Sequence, residues 1–160
     1  VDVIGGVDVY SEYDFTTRHG KFHVNQGWNH FNGAQALGFS RERESFVDGD
    51  HQRGRNQQKV IEAIINKITS DKSIITKYNS ILNSMDGSFQ TDMDMNFITS
   101  CIKYQLDTMA KWDVETIQAT GYASWNYTYS MGYNYYLWVM EPDWDSVAAA
   151  RVKIQETLAE

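Results

Sequence analysis

At 160 residues the chain has room for one core and one domain. A net charge of −7 disfavours general nucleic-acid binding, which relies on basic surface. The sole proline argues against polyproline linkers, the sole cysteine, Cys101, rules out an intrachain disulfide, and no stretch approaches the roughly 18 apolar residues of a membrane span.

Gly5 and Gly6, followed by alternating Val7 and Val9, predict a turn feeding a short strand. No helix follows at nucleotide-loop spacing, so these glycines are read as turn formers. Arg18, His19 and Lys21 are read as a solvated loop, with a rim patch as the alternative. Asn32 can cap a short helix ending near Gly38. The histidines at 19, 23, 30 and 51 lack the flanking ligands of a zinc site. His51 is read as a solvent-facing first-turn residue.

Residues 39–59 hold Arg41, Arg43, Arg53 and Arg55, four of the six arginines of an acidic chain. Read as extended, the first half puts Phe39, Arg41 and Arg43 on one face and Ser40, Glu42 and Glu44 on the other. The second half is read as a helix over about 50–70, because Ile61, Ile64, Ile65 and Ile68 recur at the spacing of a buried stripe. At about 100° per residue, Arg53 and Gln57 extend that stripe and point inward, while Arg55 faces water. Asp50 sits where an N-cap would, with Gly49 allowing a tight entry into the helix.

A helix over 71–85 follows, with Ile74, Ile75, Tyr78, Ile81, Leu82 and Met85 at helical spacing and Gly87 beyond its end. A third, over about 93–110, is capped by Asp92 or Asp94 and carries Ile98, Ile102, Leu106 and Met109 along one side. Cys101 beside that stripe is expected to be a buried, inert thiol. Residues 114–120 suit a strand. In the aromatic run 122–138, Trp125, Tyr127 and Tyr129 alternate as strand residues do; such rings can also stack on sugar or line a channel for an isoprenoid tail. Leu137–Met140 reads as a short buried strand stopped by Pro142. The last helix, over about 143–159, shows Val147, Ala150, Ile154 and Leu158 along one side. Helices alternating with short strands predict an α/β architecture, with helices on both faces of a sheet.

The arginines narrow the chemistry. Two guanidiniums about 8 Å apart repel by roughly 2 kcal/mol at an effective dielectric of about 20, which something must offset. Arg41, Arg43, Arg53, Gln57 and a helix start converging on one anion would do so. The interleaved acids are the other offset, and they leave a charged interaction surface with no anion pocket.

The motifs G-W-N-H-F-N-G-A-Q-A-L-G-F-S-R-E-R and G-D-H-Q-R-G-R-N-Q-Q-K-V-I-E-A-I, with the opening V-D-V-I-G-G-V-D-V, resemble the second half of the catalytic domain of the LytR–CpsA–Psr family. The resemblance is clear over residues 1–70 and looser to the final helix. It implies an α–β–α sandwich around a mixed central sheet, with residues 1–160 as the C-terminal portion of that catalytic domain. It further implies a phosphotransferase at the extracellular face of the Gram-positive membrane, held there by an N-terminal anchor outside this chain. Such enzymes move teichoic acid or capsular polysaccharide from a polyprenyl-pyrophosphate carrier to peptidoglycan. By matching motif, Arg41, Arg43, Asp50, Arg53 and Gln57 surround the pyrophosphate. The three arginines would hold the diphosphate, Gln57 would fix an oxygen, and Asp50 would orient Arg53 or accept the acceptor hydroxyl's proton, orientation being favoured. The family's Mg2+ ligands lie upstream, so no metal ligand is expected in this chain. The alternative function is a non-catalytic module that binds a polyprenyl-phosphate lipid or regulates.

Overall fold

The computed structural model describes residues 1–84 and 91–159, apart from the Leu82 side chain. They divide into two compact units, Val1–Val114 and Glu115–Glu160.

In the first unit, alternation decides the opening strands. β1 (Val7–Ser11) pairs antiparallel with β4 (Gly27–Phe31), and Val7, Val9 and Phe31 turn into the core while Asp8 and Tyr10 turn out. β2 (Phe15–Thr16) and β3 (His23–Val24) form a second short ladder that contributes Phe15 and Val24 to the same core. Phe39 ties these layers together, its ring 6.1 Å from Phe15 and 5.3 Å from Phe31. Full burial of such a side chain is worth roughly 1.5–3 kcal/mol, before any ring-pair contribution.

Phe39 lies on α1 (Gly33–Arg41), which begins as predicted: Asn32 Oδ1 accepts from the Gln35 amide at 2.9 Å, and the Asn32 amide donates to Gln35 Oε1 at 3.0 Å. The helix does not stop near Gly38. A Cβ at that position would lie 2.6 Å from the Phe22 ring and 2.8 Å from the His19 carbonyl oxygen, so Gly38 permits close packing and is not a terminator. Phe39 and Arg41 are therefore helical, and the extended alternation expected of residues 39–44 does not form.

α2 (Gly49–Ser70) matches its predicted span, but Asp48 is the N-cap and Asp50 lies in the first turn. Its inward line is Gln52, Asn56 and Val60, continued by Ala63, Ile64 and Ile68. Ile61 is 56% exposed, so the stripe runs back from Ile64 and not from Ile61. That one-residue rotation overturns the inward placement of Arg53 and Gln57. Buried polarity on this face is satisfied: Gln52 Nε2 donates to Asn56 Oδ1 at 2.9 Å, and Asn56 Nδ2 donates to the Phe39 carbonyl at 3.3 Å.

The helix predicted over 71–85 is broken into α3 (Lys72–Ile75), capped by Asp71, and α4 (Tyr78–Ser84); Met85 and Gly87 lie outside the described residues. α5 (Met95–Thr108) is capped by Asp94 and ends at Met109 in the left-handed region. Cys101 is exposed, contrary to expectation, and opens on a hollow of about 650 Å³ shared with Tyr104 and Trp112. α5 buries no residue fully, so flanking an apolar stripe does not enclose the thiol.

In the second unit, β5 (Gly121–Thr128) and β6 (Gly132–Pro142) form an antiparallel hairpin with an irregularity between Asn126 and Thr128. The aromatic run is thus strand, as read, and spans the turn between the two strands. Leu137 and Val139 are only half-buried, while Trp138 is 53% exposed, so Leu137–Met140 is not a buried strand. Pro142 ends β6 from within, at the pair with Gly121. α6 (Trp144–Ala159) follows. Residues 114–120 form no strand: the Thr120 amide donates to Ser146 Oγ at 2.9 Å, its carbonyl accepts from the Asp143 amide at 2.9 Å, and the Glu115 side chain pairs with Lys153 at 2.8 Å. The α/β class holds, and the described strands pair as three two-stranded antiparallel ladders.

Replacing Asn32 by Ala removes the side-chain half of the α1 cap, the bond from the Gln35 amide to Asn32 Oδ1, and leaves the backbone amide that donates to Gln35. A loss of about 1 kcal/mol is expected, read as a lower urea midpoint with an unchanged slope.

Candidate anion-binding cleft

Four guanidiniums meet in one cavity of about 770 Å³ in the first unit. Arg41 comes from the last turn of α1, Arg43 from the loop that follows, Arg53 and Gln57 from the first turns of α2, and Arg18 with His19 from the loop between β2 and β3. Glu42 and Glu44 complete the lining, leaving two positive charges in excess. Three arginines and a glutamine expected at the site therefore share it. Asp50 is not among the lining residues but stands behind two of them: its Oδ1 lies 3.3 Å from Arg53 and 3.8 Å from Arg43. Arg41 makes no ion pair or side-chain hydrogen bond among the described residues.

The route to this convergence differs from the one expected. Arg53 does not point into the core; its side chain is 39% exposed, as is that of Arg55. Gln57 is exposed. What separates the two arginines is the side of α2 from which they leave. Arg53 enters the cleft. Arg55 pairs with Asp48 and donates from Nε to Gln52 Oε1 at 2.9 Å. The hydrogen bond from Arg55 Nη2 to Asp48 Oδ2, reinforced by the guanidinium charge, holds the Asp48 carboxyl below the usual aspartate value. His51 is half-buried and does not line the cleft.

Gly49 opens α2 against the carbonyl oxygen of Arg43, in a space that a Cβ would occupy. Expected to allow a tight entry into the helix, this glycine instead serves to leave room for the Arg43 backbone. Arg18 and His19 were read as solvated loop, yet both line the cleft. Gly38 was the available signal, because a glycine inside a helix marks a close neighbour, and here that neighbour is the His19 carbonyl. Glu42, expected on an anionic face with Ser40 and Glu44, is 1% exposed, whereas Glu44 is exposed. No sequence signal marked its burial, which depends on where α1 ends.

The carboxylates of the cleft do not fit magnesium. Glu44 pairs with Arg18, Asp50 with Arg43 and Arg53, and Glu42 accepts from backbone amides. Among the described residues no three His, Cys, Asp or Glu group as a metal site.

An α/β fold with an arginine-lined cationic cleft is the class of protein these features define. The model of the LytR_cpsA_psr family matches residues 1–150, and the chain belongs to that family. It is 38% identical over 96 residues to the polyisoprenyl-teichoic acid–peptidoglycan teichoic acid transferase TagU of Oceanobacillus iheyensis, a match covering 60% of this chain and 29% of the relative. It is 32% identical over 105 residues to biofilm regulatory protein A of Streptococcus mutans, covering 62% of this chain and 26% of that protein. The crystal structure of Bacillus subtilis TagV superposes with a TM-score of 0.70 at 24% identity, over 99% of this chain and 59% of that one, which speaks for the fold. The chain spans under a third of the length of these two curated relatives.

A folded value below the unfolded one means that Asp48 contributes stability above its unfolded value, lost as pH falls through the folded one. In Arg55→Ala the Asp48 carboxyl should titrate higher, towards the ordinary aspartate value. Carboxyl-carbon NMR across the acid range measures both midpoints, and coincident midpoints would refute the pairing.

Proposed function

We propose that this chain supplies the diphosphate-holding part of a cell-wall phosphotransferase. The whole protein would move a phosphoglycopolymer, teichoic acid or capsular polysaccharide, from a polyprenyl-pyrophosphate carrier to peptidoglycan. The observation that carries this is the meeting of Arg41, Arg43, Arg53 and Gln57 in one cavity, with the Arg41 charge uncompensated. Family membership and the name of the Oceanobacillus relative support the substrate class.

In the transfer, the acceptor hydroxyl oxygen bonds to the phosphorus that carries the glycopolymer. The bond from that phosphorus to the bridging oxygen breaks, and polyprenyl phosphate leaves with the electron pair. The hydroxyl proton passes to solvent or to a base. Arg41, Arg43 and Arg53 stabilise the charge that builds on the bridging and terminal oxygens. Gln57 donates to one terminal oxygen. Asp50 orients Arg53 and Arg43, consistent with its distances from both. It is already engaged by two cations, which argues against its serving as the base. Magnesium belongs in this proposal only as a group held by residues outside this chain, and no step above runs through it. A peptidoglycan acceptor would put the reaction at the extracellular face of the membrane, and an anchor outside this chain belongs to the same proposal; among the described residues no helix is long and apolar enough to cross a membrane.

The protein that carries this chain, given a polyprenyl-pyrophosphate-linked glycopolymer and peptidoglycan, should transfer the polymer. Lipid binding with no transfer would instead mark the non-catalytic module. Within the chain, Arg53→Ala should weaken pyrophosphate binding about 10- to 100-fold in a calorimetric titration, the worth of a charged hydrogen bond. Arg55→Ala, outside the cleft, should leave binding near the wild-type value. Equal losses in the two variants would refute the assignment.

A further inference from the structure

Glu42 stands between two arginines and is 1% exposed, in a cleft whose other side chains are largely open to solvent. Its two oxygens have separate tasks. Oε1 accepts from the amides of Arg43 at 3.2 Å, Glu44 at 2.9 Å and Ser45 at 3.1 Å, and from Ser45 Oγ at 3.2 Å. Three consecutive amides turned onto one oxygen fix the backbone just after α1. Oε2 accepts from the Arg18 amide at 2.6 Å, across 24 residues of chain. Thr17 holds the same loop internally, its Oγ1 donating to the His19 carbonyl at 2.8 Å.

Resting on the diphosphate-cleft assignment above, we propose that Glu42 is a positioning residue: its buried carboxylate clamps the Arg18 loop to the turn at 43–45, so that Arg18, Arg41 and Arg43 form one wall of the cleft. The carboxylate touches no phosphate itself. Its negative charge weakens the cleft's attraction for anions, so its contribution is geometric. Charge and geometry consequently predict opposite outcomes when Glu42 is neutralised, which makes the clamp testable.

In Glu42→Gln the side-chain carbonyl can serve the donors gathered at Oε1. The amide nitrogen then faces the Arg18 amide and cannot accept from it. One clamp contact is lost and one negative charge removed. Glu44→Gln removes the same charge from the same cleft, but Glu44 holds only the Arg18 side chain. Calorimetric titration of the 160-residue chain with inorganic pyrophosphate should show Glu44→Gln binding more tightly than wild type and Glu42→Gln about 2- to 10-fold more weakly, the range set by one lost hydrogen bond. Amide hydrogen exchange supplies the second readout. The Arg18 amide, in an exposed loop, should exchange slowly in wild type and quickly in Glu42→Gln, with the amides at 43–45 unchanged. Tighter pyrophosphate binding by Glu42→Gln, matching Glu44→Gln, would overturn the proposal. So would rapid exchange of the Arg18 amide in wild type, which needs no variant to fold. Failure of the wild-type chain to bind pyrophosphate would overturn the diphosphate assignment alone, and the exchange pattern would still decide the clamp.

Discussion

Like charges gathered in one cavity separate unless something more costly prevents it, and in this chain the restraint comes from neutral groups. Phe39 is the hinge of the arrangement. Its ring is locked between Phe15 and Phe31 in the apolar core, and its carbonyl receives Asn56 from the buried side of α2. Arg41 follows two residues later, at the end of the same helix. Moving the backbone of that arginine away from the others means withdrawing a buried ring and breaking a buried hydrogen bond, together more costly than a screened repulsion between partly solvated guanidiniums. The core thus sets the place of Arg41, the buried Glu42 carboxylate holds the backbone of the Arg18 loop and of residues 43–45, and the exposed acids trim the charge of the cleft.

The acids are distributed accordingly. Asp48 is taken by Arg55 on the far side of α2, Asp50 serves Arg53 and Arg43, and Glu44 serves Arg18. Of the four arginines of the cleft, Arg41 is the one with no ion pair among the described residues. An anion that replaced weak ion pairs with bidentate contacts would find the backbone already in place, and so bind with little reorganisation.

Much of this was legible in the residues. Val7 and Val9 announced a strand by alternation and Asn32 announced a helix start, whereas β4 with Phe31 is not among the expected strands. The arginine cluster pointed towards an anion through an inward register of Arg53 and Gln57 that the structure does not have. The errors share one physical origin. A helix register is fixed by which apolar residue wins the core, and Ile61 lost to Ile64 and Val60. That rotation put Gln52 and Asn56 inside, where polar side chains are improbable until their partners are known. The burial of Glu42 was hidden for a related reason: α1 runs through Gly38, so residues 39–41 follow helical spacing and not strand alternation. Residues 114–120 have strand composition, but no described strand pairs with them. The aromatic hairpin was readable as strand, and its exposure was not, because propensity is silent about what covers a face.

The exposed position of Cys101 has a practical side. The chain has one thiol, and it lies on α5, which lends no side chain to the arginine cleft. A maleimide dye would therefore attach at a single site without mutagenesis and without altering the cleft's charge. Fluorescence anisotropy of that label would follow ligand-dependent tumbling and self-association of the native sequence.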